Sequence, residues 1–240
     1  MNYWIIFPLF FSAFLGGASI FLFKKDIGRN LKLILSFSGA YLFAITVLHL
    51  IPDAYKSGDH YVGIFIMAGF LFQLVLELFS DGVEHGHIHH NHHNHKHEAT
   101  FPSGIMISLC LHAFLEGMPL AQGHQQELVF GIALHHIPAA FALGSVLLQN
   151  HLPKKSILFL LVIFALMTPA GFFTSNFLSR NLAGLEQYFS RIMGIVIGIF
   201  LHISTTILFE SSSDHKFNLR KMAAVLIGSG IALITFFAEN

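Results

Sequence analysis

Residues 102–122 read Pro102-Ser-Gly-Ile-Met-Ile-Ser-Leu-Cys-Leu-His112-Ala-Phe-Leu-Glu116-Gly117-Met-Pro119-Leu-Ala-Gln122. A stretch of this length, with one carboxylate and no Lys or Arg, crosses a hydrocarbon layer of about 30 Å as an α-helix. Seven more apolar blocks of similar length accompany it, at approximately 3–23, 33–53, 61–80, 127–149, 155–177, 188–209 and 219–238. Of the 240 residues, 54% are apolar and only 11% are charged. A soluble domain is nearer a quarter charged. The chain is therefore expected to be an all-α integral membrane protein in the lipid bilayer, a single domain of eight transmembrane helices over residues 1–240. A soluble α-protein with a large buried core does not suit blocks of these lengths.

Charge sets the expected orientation. Loops 24–32, 81–101, 150–155 and 210–221 hold ten of the 13 Lys and Arg residues, and the opposite side holds Lys56, Arg180 and Arg191. By the positive-inside rule the first set of loops faces the cytoplasm and both termini face outside. The first block has no basic segment before it and is followed by Lys24 and Lys25, so it reads as a retained helix and not as a cleaved signal. A bacterial cytoplasmic membrane is the expected location. Net charge is zero, which gives no support for nucleic-acid binding. Cys110 is the one cysteine; lying within a span, it says nothing about disulfides and reads as a small apolar residue.

Spans four and five each carry groups that such a setting penalises. Ionisable side chains at a helix centre in the bilayer cost on the order of 2.5 kcal/mol or more each. In span four, His112 and Glu116 are four residues apart, hence on one helical face. A rise of about 1.5 Å per residue puts His112 near mid-membrane. Span five carries His135-His136-Ile-Pro138 at a similar distance from its outer end. The short connection between the spans predicts antiparallel neighbours. His112, Glu116 and His135 are then expected to meet, giving two nitrogens and a carboxylate for one divalent cation with a position left open. His136 is a fourth candidate, turned about 100° from His135. Pro119 and Pro138 are expected to free the carbonyls of Leu115 and Leu134, and Gly117 to admit a neighbouring helix closely.

Between spans three and four runs His85-Gly-His87-Ile-His89-His90-Asn-His92-His93-Asn-His95-Lys-His97, eight of the 17 histidines. The loop it belongs to, residues 84–100, has too few apolar residues to fold and is expected to be disordered. Imidazoles at this density bind Zn²⁺, Ni²⁺ or Cu²⁺ weakly at interchangeable sites. Metal capture or sensing on the cytoplasmic side is the expected role, and deleting residues 85–97 is expected to change regulation or apparent affinity more than maximal flux, because a floppy tract imposes no single geometry.

With these residues in view, the chain resembles the ZIP (Zrt/Irt-like) family of divalent metal transporters. That family has eight spans, outward-facing termini, a histidine-rich loop between spans three and four, and signatures of the form HNxx(D/E)G and HExPE. Here those read His112-Ala113-Phe114-Leu115-Glu116-Gly117 and His135-His136-Ile137-Pro138-Ala139. His49-Leu-Ile-Pro52-Asp53-Ala54 and Thr168-Pro169-Ala170-Gly171 look similar as well. The resemblance implies a two-metal centre between spans four and five. Its first position falls on His112, Glu116 and His135. Its second is degenerate, with Ala113, His136 and Thr168 where the pattern has an asparagine and two acids, and Ala139 where it has a bridging glutamate. One intramembrane ion and no second is therefore expected, with His136 a candidate to complete its shell. Fewer carboxylates weaken binding or favour nitrogen-loving metals such as Zn²⁺.

The expected function is carriage of a divalent cation, most simply zinc, into the cytoplasm. The inward direction and an elevator-like or rocking motion come from the resemblance alone. No prosthetic group is expected, the ion being the cargo, and a homodimer is among the assemblies left open. An intramembrane zinc hydrolase would need a spare general base, whereas Glu116 is the only mid-membrane carboxylate and no HExxH motif is present. A metal-binding regulator without transport is the other alternative, motivated by Ala139. Among remaining polar residues, Asp53 and His60 are expected near the outer mouth. His202 lies inside span seven, Glu77 and Asp81 at the inner end of span three, and Glu210, Asp214 and His215 at the inner end of span seven. His124 and His151 are loop residues to which the sequence assigns no role.

Overall fold

A computed structural model describes residues 3–22, 28–80, 82–83, 101–121, 125–181, 186–210 and 219–239. The histidine-rich tract, and the disorder expected of it, lie outside the described residues. The described residues form helices and turns without a strand. The α-helices are α1 (Ile6–Ala18), α2 (Gly28–Ile45), α3 (Ile51–Lys56), α4 (Val62–Ser80), α5 (Ser103–Gly117), α6 (Gln125–Gln149), α7 (Lys154–Asn181), α8 (Glu186–Glu210) and α9 (Leu219–Glu239).

Seven stretches are long and apolar enough to cross a membrane: Leu31–Lys56, Val62–Ser80, Ser103–Ala121, Gln126–Gln149, Lys154–Arg180, Tyr188–Phe209 and Leu219–Ala238. The expected first span is shorter, an apolar helix over Ile6–Phe21. It tightens into a 3₁₀ turn at Ser19–Phe21. At about 1.5 and 2.0 Å per residue for the two geometries it reaches roughly 25 Å, a little under the layer it would cross. The described chain thus has the all-helical, eight-segment form expected, with one thin member.

The second span is not one regular helix. Between α2 and α3, Thr46–Leu50 widens into a π turn, closed by Ile51 N–H on Thr46 O. Pro52 stands just beyond, without an N–H to give, and the extra residue in the preceding turn absorbs the interrupted ladder.

Helices of this bundle associate through small residues and close backbones. Gly117 of α5 lies against Thr168 O of α7, and Gly171 of α7 lies against Phe114 O of α5; a β-carbon at either would fall well inside van der Waals contact. Gly69 of α4 and Gly198 of α8 make the same reciprocal arrangement, against Ile195 O and Ile66 O. With lipid as apolar as leucine, such close packing is what holds helices together.

The helices sort into two sets. One contains α1, α5, α6 and α7, with α1 lying on α6 and α7, and α5 on α7. The other contains α2, α3, α4, α8 and α9, with α4 on α8 and α2 on α9 and α8. The sets meet where α2 runs along α6 and α4 along α5. Contrary to expectation, α5 and α6 touch each other only sparingly. Each is held instead by α7 or α1, because the glycine surfaces that permit close approach face those helices.

Three of the buried hydroxyls are satisfied within their own helices. Ser36 Oγ donates to Lys32 O at 2.8 Å, Thr46 Oγ1 to Leu42 O at 2.7 Å and Ser204 Oγ to Phe200 O at 2.6 Å. These are back-bonds to the preceding turn, and need nothing from another helix. The imidazoles, the carboxylate and the amide described next behave differently.

Candidate metal centre

His112 and Glu116 sit on one face of α5, and His135 and His136 on α6. Counting from Ser103 and Gln125, the two histidine positions are about 13 and 15 Å along their helices, so they share a depth. All four side chains are buried: His112 is 2% exposed, His136 1%, and Glu116 and His135 0%. Pro138 remains inside α6. Pro119 falls in a 3₁₀ turn, Met118–Ala121, that follows α5. The carbonyl of Leu115, expected to be free, accepts from Met118 N–H. The tightened turn shortens the ladder and takes up the acceptor that proline would have orphaned.

His112, Glu116 and His135 each offer a ligand atom, all lying within 4.8 Å of one another. Zinc takes nitrogen and oxygen ligands at about 2.0–2.2 Å, so atoms sharing one ion stand within about 4.4 Å. Small side-chain rotations close the difference. No other group of three or more His, Cys, Asp or Glu with this spacing occurs among the described residues.

Glu116 is the hub. Its Oε2 accepts from His136 Nε2 at 2.7 Å, and its Oε1 lies 3.2 Å from His112 Nε2. The second approach has the distance of an ion pair without hydrogen-bond alignment, Oε1 making no hydrogen bond among the described residues. Two lone-pair-bearing atoms facing one space in this way suit a shared cation. A carboxylate removed from water costs several kcal/mol unless offset. Imidazole contact supplies part of that offset, and a dication bound there would supply more. His136 occupies the carboxylate's other oxygen, with Phe164 of α7 5.8 Å from its ring centre.

Behind the site is a residue outside the expected set. Gln73 of α4, fully buried, places Oε1 3.3 Å from His112 Nδ1. One turn along α5, Ser108 Oγ donates to Leu76 O of α4 at 2.7 Å. The signal was present: a lone amide in an apolar span deserves the scrutiny given to a lone histidine.

The other expected residues disperse. Asp53 pairs with Lys56 at 2.7 Å at the exposed end of α3, and His60 is exposed. His49 is buried beside Phe236 of α9, ring centres 5.3 Å apart. His202 Nε2 meets Glu77 Oε2 at 3.3 Å, joining α8 to α4, under the edge of Phe70. Thr168 is buried, with no hydrogen bond to Oγ1 among the described residues. Ala113 and Ala139 are buried apolar residues. His151 is exposed at the α6–α7 turn with φ 55°. Asp81, His124, Asp214, His215 and the side chain of Glu210 lie outside the described residues.

Comparison with known proteins gives two findings. The profile described as ZIP Zinc transporter matches residues 102–236, more than half of the chain. Protein zntD of Dictyostelium discoideum is 28% identical over 171 residues, covering 64% of this chain and 24% of the relative. The chain thus spans about a quarter of that relative's length.

Proposed function

The chain belongs to the ZIP zinc transporter family, a family of divalent metal transporters, and on that footing we propose that it carries Zn²⁺ through the membrane into the cytoplasm, holding one ion at a time on His112, Glu116 and His135. The observation that carries the proposal is the convergence of ligand atoms from those three buried side chains, on two helices, within 4.8 Å of one another. Two imidazoles and one carboxylate favour a borderline nitrogen-loving dication over a hard one. Three protein ligands leave a position open, and incomplete ligation lets a carrier release what it binds. His136 keeps the carboxylate oriented through Oε2. The inward direction is taken from family membership; the Lys and Arg residues of alternate loops bear on how the helices are oriented and not on the direction of flux.

Zinc flux into right-side-out sealed vesicles tests it. His112→Ala is expected to abolish saturable uptake while the protein still reaches the membrane. Uptake at the normal rate by that variant would remove the site, and flux only in the outward direction would remove the polarity.

A further inference from the structure

Among the remaining polar groups, one touches the proposed site without belonging to its ligand set. We propose that Gln73 is a positioning residue for the metal centre: its Oε1 accepts the Nδ1 proton of His112 and thereby fixes the tautomer in which the Nε2 lone pair faces Glu116 and the ion. The inference rests on the assignment of His112 as a ligand and deepens it.

A neutral imidazole has one donor nitrogen and one acceptor nitrogen, and only the acceptor binds metal. His112 Nε2 is the nitrogen on the Glu116 side, 3.2 Å from Oε1. Nδ1 points the opposite way, 3.3 Å from Gln73 Oε1. Donation from Nδ1 to that oxygen therefore leaves Nε2 bare. The reverse amide orientation would put an N–H against Nδ1 and drive the ring proton onto Nε2, blocking it.

Gln73 is held where this requires. It is fully buried, in a span whose neighbours at Phe72 and Leu74 are apolar. The Ser108–Leu76 bond pins α4 against α5 one turn away, and the pairing of residues 108 and 112 with 76 and 73 makes the two helices antiparallel there. Metal-binding histidines commonly use their second nitrogen in this manner, and loss of the outer partner lowers metal affinity 10–100-fold.

The experiment measures KM and maximal rate for Zn²⁺ uptake by the full chain in vesicles. Gln73→Met keeps the length without the acceptor and is expected to raise KM at least about tenfold, with the maximal rate held within about twofold. Gln73→Glu restores an acceptor oxygen and is expected to hold KM within about threefold of the parent. Should Gln73→Met fail to reach the membrane, Gln73→Asn, polar but too short to reach Nδ1, is expected to give the same rise. Parental KM in Gln73→Met, or equal impairment in Gln73→Met and Gln73→Glu, overturns the inference. If His112→Ala transports normally, the ligand assignment itself falls; if His112→Ala is inactive and Gln73→Met is normal, only the positioning role falls.

Discussion

A carboxylate with an imidazole at each oxygen is the smallest unit that explains how Glu116 survives complete burial. The two imidazoles differ. His112 faces Oε1 at 3.2 Å without a hydrogen bond, and groups with His135 about the carboxylate, whereas His136 hydrogen-bonds Oε2 at 2.7 Å. That difference separates a ligand from an orienting group. His136→Ala is expected to raise the KM for zinc about 10–100-fold and to leave measurable flux, in contrast to the complete loss expected for His112→Ala. Equal, total loss in both variants, with both proteins folded, would instead make His136 a ligand. At this scale the sequence was informative: ionisable residues inside apolar blocks named all four side chains. Gln73, a lone amide in an apolar span, marked itself only as a costly group; that its partner is His112, 39 positions away, was not legible.

Helices are the units that the site depends on, and glycine decides how near they come. Gly171 rests on the backbone of α5 within one turn of Glu116, and no side-chain adjustment makes room for a methyl group there. Gly171→Ala is expected to cost at least about 1–3 kcal/mol by forced separation of α5 and α7, seen as a lower unfolding temperature in detergent. Gly230, with nothing within 4 Å of where a β-carbon would stand, is the control, and Gly230→Ala is expected to be neutral. Parity between these two variants would contradict the packing account.

A different fastening holds the α3–α4 turn. Asp59 accepts from Arg191 Nε at 2.7 Å and from Tyr61 N–H at 2.9 Å, while the guanidinium lies among the rings of Tyr61, Phe65 and Tyr188. The Arg191 hydrogen bond, aided by the Tyr61 amide, holds the Asp59 carboxyl below its ordinary value of 3.8. A depressed carboxylate stabilises the fold at neutral pH, and the contribution fades as pH falls from about 4 through the lowered value. Asp59→Asn is therefore expected to unfold at a lower temperature than the parent by an amount constant from about pH 5 to 8, with the gap narrowing only below about pH 4. A gap that shrinks already between pH 7 and 5 would point to another group.

At the scale of the molecule, the proposed ligands all belong to the set formed by α1, α5, α6 and α7, and Gln73 belongs to the set formed by α2, α3, α4, α8 and α9. The centre therefore sits at the seam between the two. Periodicity and block length made the all-helical, membrane-spanning architecture legible, since bilayer thickness fixes helix length residue by residue. They also gave the shared depth of His112 and His135, because rise per residue is constant. Neither measures lateral position. The expectation that α5 and α6 would be principal neighbours came from a short connection, and glycine contacts elsewhere outweighed it.

Read residue by residue, the chain already dictates a bundle of apolar helices and marks which buried groups are too costly to be idle. Packing had to settle which of those groups converge, that His136 takes the far oxygen of Glu116, and that Gln73 stands behind His112. The distinction is one of range. Hydropathy and helical rise act locally along the chain, while convergence depends on backbone-to-backbone packing between helices distant in sequence, which no local pattern encodes.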